Sequence, residues 1–209
     1  MALFFLHGLG QGPDSWQKVV GHLPGSLESR CLDLAAWVQD GAETYEQLYK
    51  RMWEVLQGEP GRVSLCGLSL GGVLALQYAG EHPDQVEKLI LIGTPCPIPR
   101  GLLRIQNLLF RCLPEAAFSG GGMGKRKMLV LSRSMEQLEL VPWAEQISCP
   151  TLVLCGERDR TNRRSAHTLS QKISQARFQE LPGAGHLANL DAPERLAQAL
   201  AAFLIQQSR

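Results

Sequence analysis

Val63-Ser64-Leu65-Cys66-Gly67-Leu68-Ser69-Leu70-Gly71-Gly72-Val73-Leu74-Ala75-Leu76-Gln77-Tyr78 reads as an apolar run, a glycine-rich turn and a helical pattern. Within it, Gly67-Leu68-Ser69-Leu70-Gly71 has the form G-x-S-x-G. A serine on a sharp turn between strand and helix has its hydroxyl projected from the backbone. Glycines two residues before and after it leave room for close chain approach. The helix opening at Leu70 presents N–H groups and a positive dipole end to that hydroxyl, so the Leu70 N–H is a candidate oxyanion donor. The same five-residue pattern also occurs in phosphate-binding and purely structural turns. Its meaning therefore depends on residues elsewhere in the chain.

Working outward, short apolar runs at 2–6, 62–66, 88–92 and 151–155 resemble strands covered on both faces, as in a parallel sheet, and weaker strand patterns occur at 27–32 and 177–181. Helical patterns lie at 43–56, 70–81, 164–174 and 193–206, the last opened by Asp191-Ala192-Pro193-Glu194 with capping-box spacing. Strand followed by helix, repeated along the chain, implies right-handed crossovers. The expected fold is α/β: a doubly wound, mostly parallel sheet of about six strands. The rhythm breaks from about 95 to 147, where no strand pattern occurs, so this stretch reads as a helical insertion. In it Arg100, Arg104, Asn107 and Arg111 share one narrow helical stripe. Leu102, Leu103, Ile105, Leu108, Leu109, Phe110 and Leu113 form an apolar arc wide enough to cover either core or a substrate pocket.

The 209 residues suit a single domain spanning 1–209, and a chain of this size buries about 70% of its unfolded surface without staples. Apolar residues at 44% and charged residues at 20% are ordinary globular usage, and a net charge of +1 gives no general attraction to nucleic acid or anionic membrane. No apolar run is long enough to span a bilayer, and residues 1–6 lack the features of an export signal. Six cysteines without CxxC spacing fit reduced thiols, so the expected location is cytoplasmic, with no metal site.

Nucleotide loops are excluded by position. Ser69 occupies the second glycine position of a dinucleotide fingerprint, Gly8-Leu9-Gly10-Gln11-Gly12-Pro13 ends in proline, and the 119–126 stretch fails a Walker pattern at Ser119 and Arg126. As a nucleophile, Ser69 needs a base and an acid to orient it. His22, His82 and His167 lie in or at the ends of helical patterns, and His7 follows the first strand where it braces Gly8-Leu9-Gly10. His186 stands in a loop after the last strand, in Pro182-Gly183-Ala184-Gly185-His186, and is the best base. Leu154-Cys155-Gly156-Glu157-Arg158-Asp159 offers two acids beyond another strand. Asp159 is the choice and Glu157 the reserve, giving the chain order Ser, Asp, His.

With these motifs in this order, the chain resembles the α/β-hydrolase family of serine hydrolases over nearly its whole length. The resemblance rests on Leu6-His7-Gly8-Leu9-Gly10 with Trp16 downstream, Gly67 to Gly72, Gly156-Glu157-Arg158-Asp159 and Gly185-His186. It implies Ser69 as nucleophile, His186 as base, Asp159 as orienting acid, Leu9 and Leu70 as oxyanion N–H donors, and 95–147 as a cap. It further implies a minimal form in which the relatives' N-terminal hairpin is missing. The D-x-x-G-x-G-x-S loop of many relatives is absent at Asp33 to Gln39, as are the elbow aspartate and cap tyrosines of epoxide hydrolases and the HGGG loop of some lipases. The implied activity is cofactor-free cleavage of a small-molecule ester or thioester with a small to medium acyl or aryl group. Carbon–carbon bond hydrolysis, lactone hydrolysis, peracid formation and non-catalytic ligand binding stay open. Arg158, Arg160, Arg163 and Arg164 read as a solvated helix start or as an attraction for an anionic substrate, and Gly120 to Gly124 as a surface loop or a cap hinge.

Overall fold

Side chains that alternate along each central strand are divided between two cores, the period-2 pattern of a sheet buried on both faces. Phe4, Leu6, Leu65, Leu89, Leu91 and Val153 enter one core, and Leu3, Phe5, Cys66, Leu68, Ile90, Ile92, Leu152 and Leu154 enter the other. The strands of this computed structural model are β1 (Ala2–Leu6), β2 (Ser29–Leu32), β3 (Val63–Leu68), β4 (Val86–Ile92), β5 (Thr151–Gly156) and β6 (Ala176–Leu181). The structure describes residues 2–98, 100–115, 118 and 123–205, the side chains of Leu102 and Gln106 excepted. The strands pair in the order β2-β1-β3-β4-β5-β6, every pairing parallel, as the sequence leads one to expect.

The helices in chain order are α1 (Gln17–Gly21), α2 (Leu34–Gln39), α3 (Tyr45–Gln57), α4 (Leu70–Glu81), α5 (Arg100–Cys112), α6 (Lys125–Ser134), α7 (Val141–Gln146), α8 (Arg160–Lys172), α9 (Ala188–Asp191) and α10 (Pro193–Ile205). Leu48, Met52 and Leu56 of α3, the buried α4, Ala144 of α7 and Leu169 of α8 fill the first core. Val19 of α1 and Leu196, Leu200 and Phe203 of α10 fill the second. Thr44 starts α3 with a full capping box, its hydroxyl accepting from Gln47 N–H while the Gln47 side chain accepts from Thr44 N–H. Lys88 of β4 is buried, and its ammonium donates to the carbonyls of Leu204 (2.8 Å) and Phe203 (3.2 Å), satisfying last-turn acceptors of α10. No described helix is long and apolar enough to cross a membrane.

The chain leaves β1 toward β2 on one side and returns to β3 on the other, so the loops after β1 and β3 part over the carboxyl ends of the sheet. Such a reversal leaves a crevice where α/β folds bind ligands. Between 95 and 147 the described residues form α5, α6 and α7 and no strand. α7 packs on α4 so closely that a Cβ on Gly80 would lie 2.6 Å from the Trp143 carbonyl oxygen. It therefore covers the sheet, whereas α5 and α6 pack on each other beside the crevice.

The orientation of α5 departs from simple burial of its apolar arc. Leu103 and Phe110 are half-buried, but Ile105, Leu108, Leu109 and Leu113 are 58%, 60%, 59% and 43% exposed. The polar stripe faces α6 and the residues after it, where Arg100 pairs with Glu139 (2.5 Å), Arg104 with Glu136 (3.4 Å) and Asn107 donates to Glu136 (3.3 Å). The side chain of Leu102 in the arc, and Gly120, Gly121 and Gly122 of the glycine cluster, lie outside what the structure describes.

Candidate active site

β3 ends in a turn whose backbone excludes side chains. A Cβ on Gly67 would lie 2.3 Å from the Gly71 carbonyl oxygen, and one on Gly71 would lie 2.2 Å from that of Leu6. Between these glycines Ser69 holds φ 53° and ψ −111°, the only positive φ of a non-glycine residue among those described. Such a conformation persists only where the surroundings over-determine it. Here the Ser69 N–H donates to the Ile92 carbonyl (2.9 Å), and the Ser69 carbonyl accepts from Val73 N–H (3.0 Å) as α4 begins. The Ser69 side chain opens onto a cavity of about 410 Å³ at the carboxyl ends of the strands.

Asp159 and His186 line the same cavity. Asp159 follows β5 and has a nearly buried side chain, 3% exposed, whereas His186 is 40% exposed. Their atoms meet with His186 Nδ1 2.8 Å from Asp159 Oδ2. Asp159 is also the N-cap of α8, its Oδ1 accepting from Asn162 N–H at 3.2 Å, which explains why the helix starts at Arg160 rather than at 164. The Asn162 amide Nδ2 donates to both carboxylate oxygens at 3.0 Å. Burial alone would raise the carboxyl pKa. The bonds from His186 and Asn162 outweigh it and hold Asp159 below its usual value. A carboxylate at Nδ1 fixes the Nδ1–H tautomer of neutral His186 and leaves Nε2 unprotonated, the form a general base requires. The Asn162 Nδ2 contact to His186 Nδ1 (3.1 Å) then sets two donors side by side around one acceptor. Gly93, at the end of β4, permits this pairing, because a Cβ there would lie 3.1 Å from His186 Nδ1 at an unfavourable φ of 52°.

The loop after β1 forms the facing wall. His7 is fully buried. Its Nδ1 donates to the Gly8 carbonyl (2.9 Å), and its Nε2 accepts from Leu34 N–H (3.1 Å). Burial lowers its pKa and keeps the ring neutral. The Gly8 N–H donates to Gln11 Oε1 (3.0 Å), and Gln11 Nε2 donates to Asn189 Oδ1 (3.2 Å), tying this loop to the segment just beyond His186. Leu9 and Leu70 both line the cavity, and the Leu70 N–H is among the first-turn donors that a helix leaves without an internal partner.

The reserve acid Glu157 accepts from Gly183 N–H (2.7 Å), bracing the loop that carries His186. Arg158, Arg160 and Arg163 border a separate open depression with Glu157; Arg163 pairs with Glu180 and Arg158 donates to the Gly183 carbonyl. Among the described residues, neither these nor any other Lys or Arg lines the cavity. Sequence reasoning passed over Asn162, Gln11 and Asn189. The first is signalled only by its place three residues after a helix-capping aspartate, and the other two join stretches 178 residues apart.

The sequence pattern of the alpha/beta hydrolase family matches residues 3–199. A pimeloyl-[acyl-carrier protein] methyl ester esterase of Aromatoleum aromaticum is 37% identical over 100 residues, covering 47% of this chain and 39% of that protein. Over greater length, 92% of this chain and 91% of the other, an enzyme of the same name from Nitrosomonas europaea is 27% identical. The chain thus spans well under half the length of the first relatives it matches. Among solved structures, MenH from S. aureus superposes with a TM-score of 0.81 at 18% identity, covering 98% of this chain and 93% of that one, a likeness of fold.

Proposed function

The chain belongs to the alpha/beta hydrolase family, and from that premise we propose that it is a serine hydrolase cleaving carboxylic esters of medium acyl groups through Ser69, His186 and Asp159. The observation that supports this most is the buried Asp159 hydrogen-bonded to His186 on the cavity that also receives Ser69 from its strained turn. In this reading Ser69 Oγ attacks the ester carbonyl carbon while His186 Nε2 takes its proton. Asp159 stabilises the imidazolium that results. The carbonyl oxygen becomes an oxyanion held by the N–H groups of Leu9 and Leu70, each contributing about 3 kcal/mol of barrier lowering. Collapse of the intermediate expels the alcohol, which receives the proton from His186, and leaves an acyl-serine. Water deprotonated by His186 then attacks that ester, releasing the acid and restoring Ser69.

The alcohol side of the substrate is argued from the relatives, whose names give a methyl ester of a carrier-bound acyl group as what they act on. We extend that class to this chain, in preference to thioesters. Leu103, Phe110, Met128 and Met135 make an apolar roof suited to an acyl chain, and the cavity falls within the range of small-molecule sites, about 300–1,000 Å³. The cytoplasm is the proposed location, consistent with six free thiols, four of them buried. The test is hydrolysis of p-nitrophenyl esters from acetate to octanoate by the wild-type chain and Ser69→Ala. Turnover should peak at a middle chain length and fall by on the order of 10⁴–10⁶ in the variant. Equal rates in the two proteins would refute the reading.

A further inference from the structure

Among the described residues, every polar side chain lining the cavity belongs to the chemical end or the start of α8, with one exception. Ser69, His186, Asp159 and Asn162 form the constellation described above, and Thr161 adjoins it. Ser132 is contributed instead by α6 of the roof, among Leu103, Phe110, Met128 and Met135. Its residue is 0% exposed, and its Oγ has no hydrogen-bond partner among the described residues. A serine inside a helix ordinarily points to solvent or bonds back to a carbonyl of the preceding turn. Ser134, two residues on, does the latter, donating to the Leu131 carbonyl at 2.8 Å. Ser132 does neither, and a buried hydroxyl left unpaired reduces stability.

A second orphan lies in the same part of the cap. Asn107 of α5 is 5% exposed and donates through Nδ2 to Glu136, four residues beyond Ser132, while its Oδ1 is buried without a partner among the described residues. Two unsatisfied oxygens where α5 and α6 pack mark polar capacity that the folded chain does not use. Of the two, Ser132 lines the cavity, where a polar group among the apolar residues of the roof is a means of orienting a ligand.

Resting on the hydrolase reading above, we propose that the Ser132 hydroxyl recognises a neutral oxygen function carried on the acyl chain of the substrate, separate from the scissile carbonyl. A keto, ester or ether oxygen accepts its proton. The oxygen is neutral because, among the described residues, no Lys or Arg lines the cavity. An ionised carboxylate there would be buried without a counter-charge, at a desolvation cost that one hydroxyl does not offset. The substrate class is therefore an oxygenated medium-chain acyl ester rather than a plain fatty ester or one with a free acid at its far end.

The test compares kcat/KM for p-nitrophenyl hexanoate with a series in which one methylene is replaced by a keto group or an ether oxygen at successive positions. The wild-type chain should favour at least one oxygenated ester over hexanoate by about tenfold, the yield of one well-made hydrogen bond. In Ser132→Ala that ratio should fall to near one, the loss appearing on the oxygenated ester. Ser134→Ala, whose hydroxyl is satisfied within the protein, should keep it. Ser132→Ala should also melt about 2–4 °C higher, since it removes an unpaired buried hydroxyl and places alanine in a helix. Three results overturn the proposal: no oxygenated ester preferred, a preference that survives Ser132→Ala, or a lower melting temperature for that variant. If the wild-type chain hydrolyses hexanoate without such a preference, this inference alone falls. If it hydrolyses no ester, the hydrolase reading falls and takes this one with it.

Discussion

Replacing Asp159 by asparagine separates two tasks that one side chain performs. As the N-cap of α8, Asp159 accepts from Asn162 N–H, and asparagine caps about as well as aspartate. As the partner of His186, it accepts from Nδ1 at 2.8 Å, and asparagine cannot reproduce this without presenting its NH₂ to the ring or turning its one oxygen away from Asn162. An NH₂ facing Nδ1 selects the wrong tautomer, with the proton on Nε2, and abolishes the base. The same change in the serine-protease triad lowers kcat about 10⁴-fold, and that magnitude is expected here. Stability should change by less than about 1 kcal/mol, because the cap persists. Asp159→Ala should lose both, with a further fall of about 2–4 °C in Tm for each kcal/mol of cap and amide bonding removed. Glu157→Gln should leave kcat nearly unchanged, since Glu157 bonds Gly183 and not His186. The assay is p-nitrophenyl ester turnover beside thermal melting. A kcat for Asp159→Asn within about tenfold of wild type, or a collapse in Glu157→Gln, would refute the assignment of the acid.

The elbow carries its own tests. Gly71→Ala sets a Cβ 2.2 Å from the Leu6 carbonyl oxygen, a backbone atom that cannot move aside, and should lower stability by about 3 kcal/mol or more in urea titration. Ser69→Gly and Ser69→Ala should both be inactive, but the glycine variant should melt higher, because only glycine relieves a positive φ whose strain is about 1–3 kcal/mol. His7 gives a pH signature. Burial depresses its folded pKa below 6.5, so the unfolded chain binds the extra proton, and stability should be complete above that value and fall as pH drops through it. His7→Asn should flatten that part of a denaturation-against-pH curve. Asp159, whose folded pKa is depressed, stabilises above its unfolded value of 3.8 and loses that contribution as pH falls below it.

The sheet was legible because its central strands are buried on both faces and therefore read as unbroken apolar runs, as at β3 and β5. The edge strands β2 and β6 were faint for the complementary reason, since each exposes part of its length and carries residues such as Arg30, Arg177 and Glu180. Ser69, His186 and Asp159 could be nominated because each follows a strand, and strand ends converge in a parallel fold. Asn162 could not, because its role depends on the rotation of α8 about its axis. The Gln11 and Asn189 pair could not either, because nothing local ties residues so far apart. On α5 the apolar arc was evident, but its polar stripe faces Glu136 and Glu139 on the neighbouring segment and part of the arc is left exposed, a placement that hydrophobic periodicity does not contain.

The proposed activation of the Ser69 hydroxyl by His186 at this cavity makes that hydroxyl reactive toward phosphonylating reagents. Incubation with a fluorophosphonate, followed by intact-mass measurement and peptide mapping, addresses it most directly. One phosphonyl adduct is expected on Ser69 in the wild-type chain, and none in His186→Ala or Ser69→Ala on the same timescale. A folded wild-type chain left unmodified while a control esterase is labelled, or an adduct at a different residue, would contradict it.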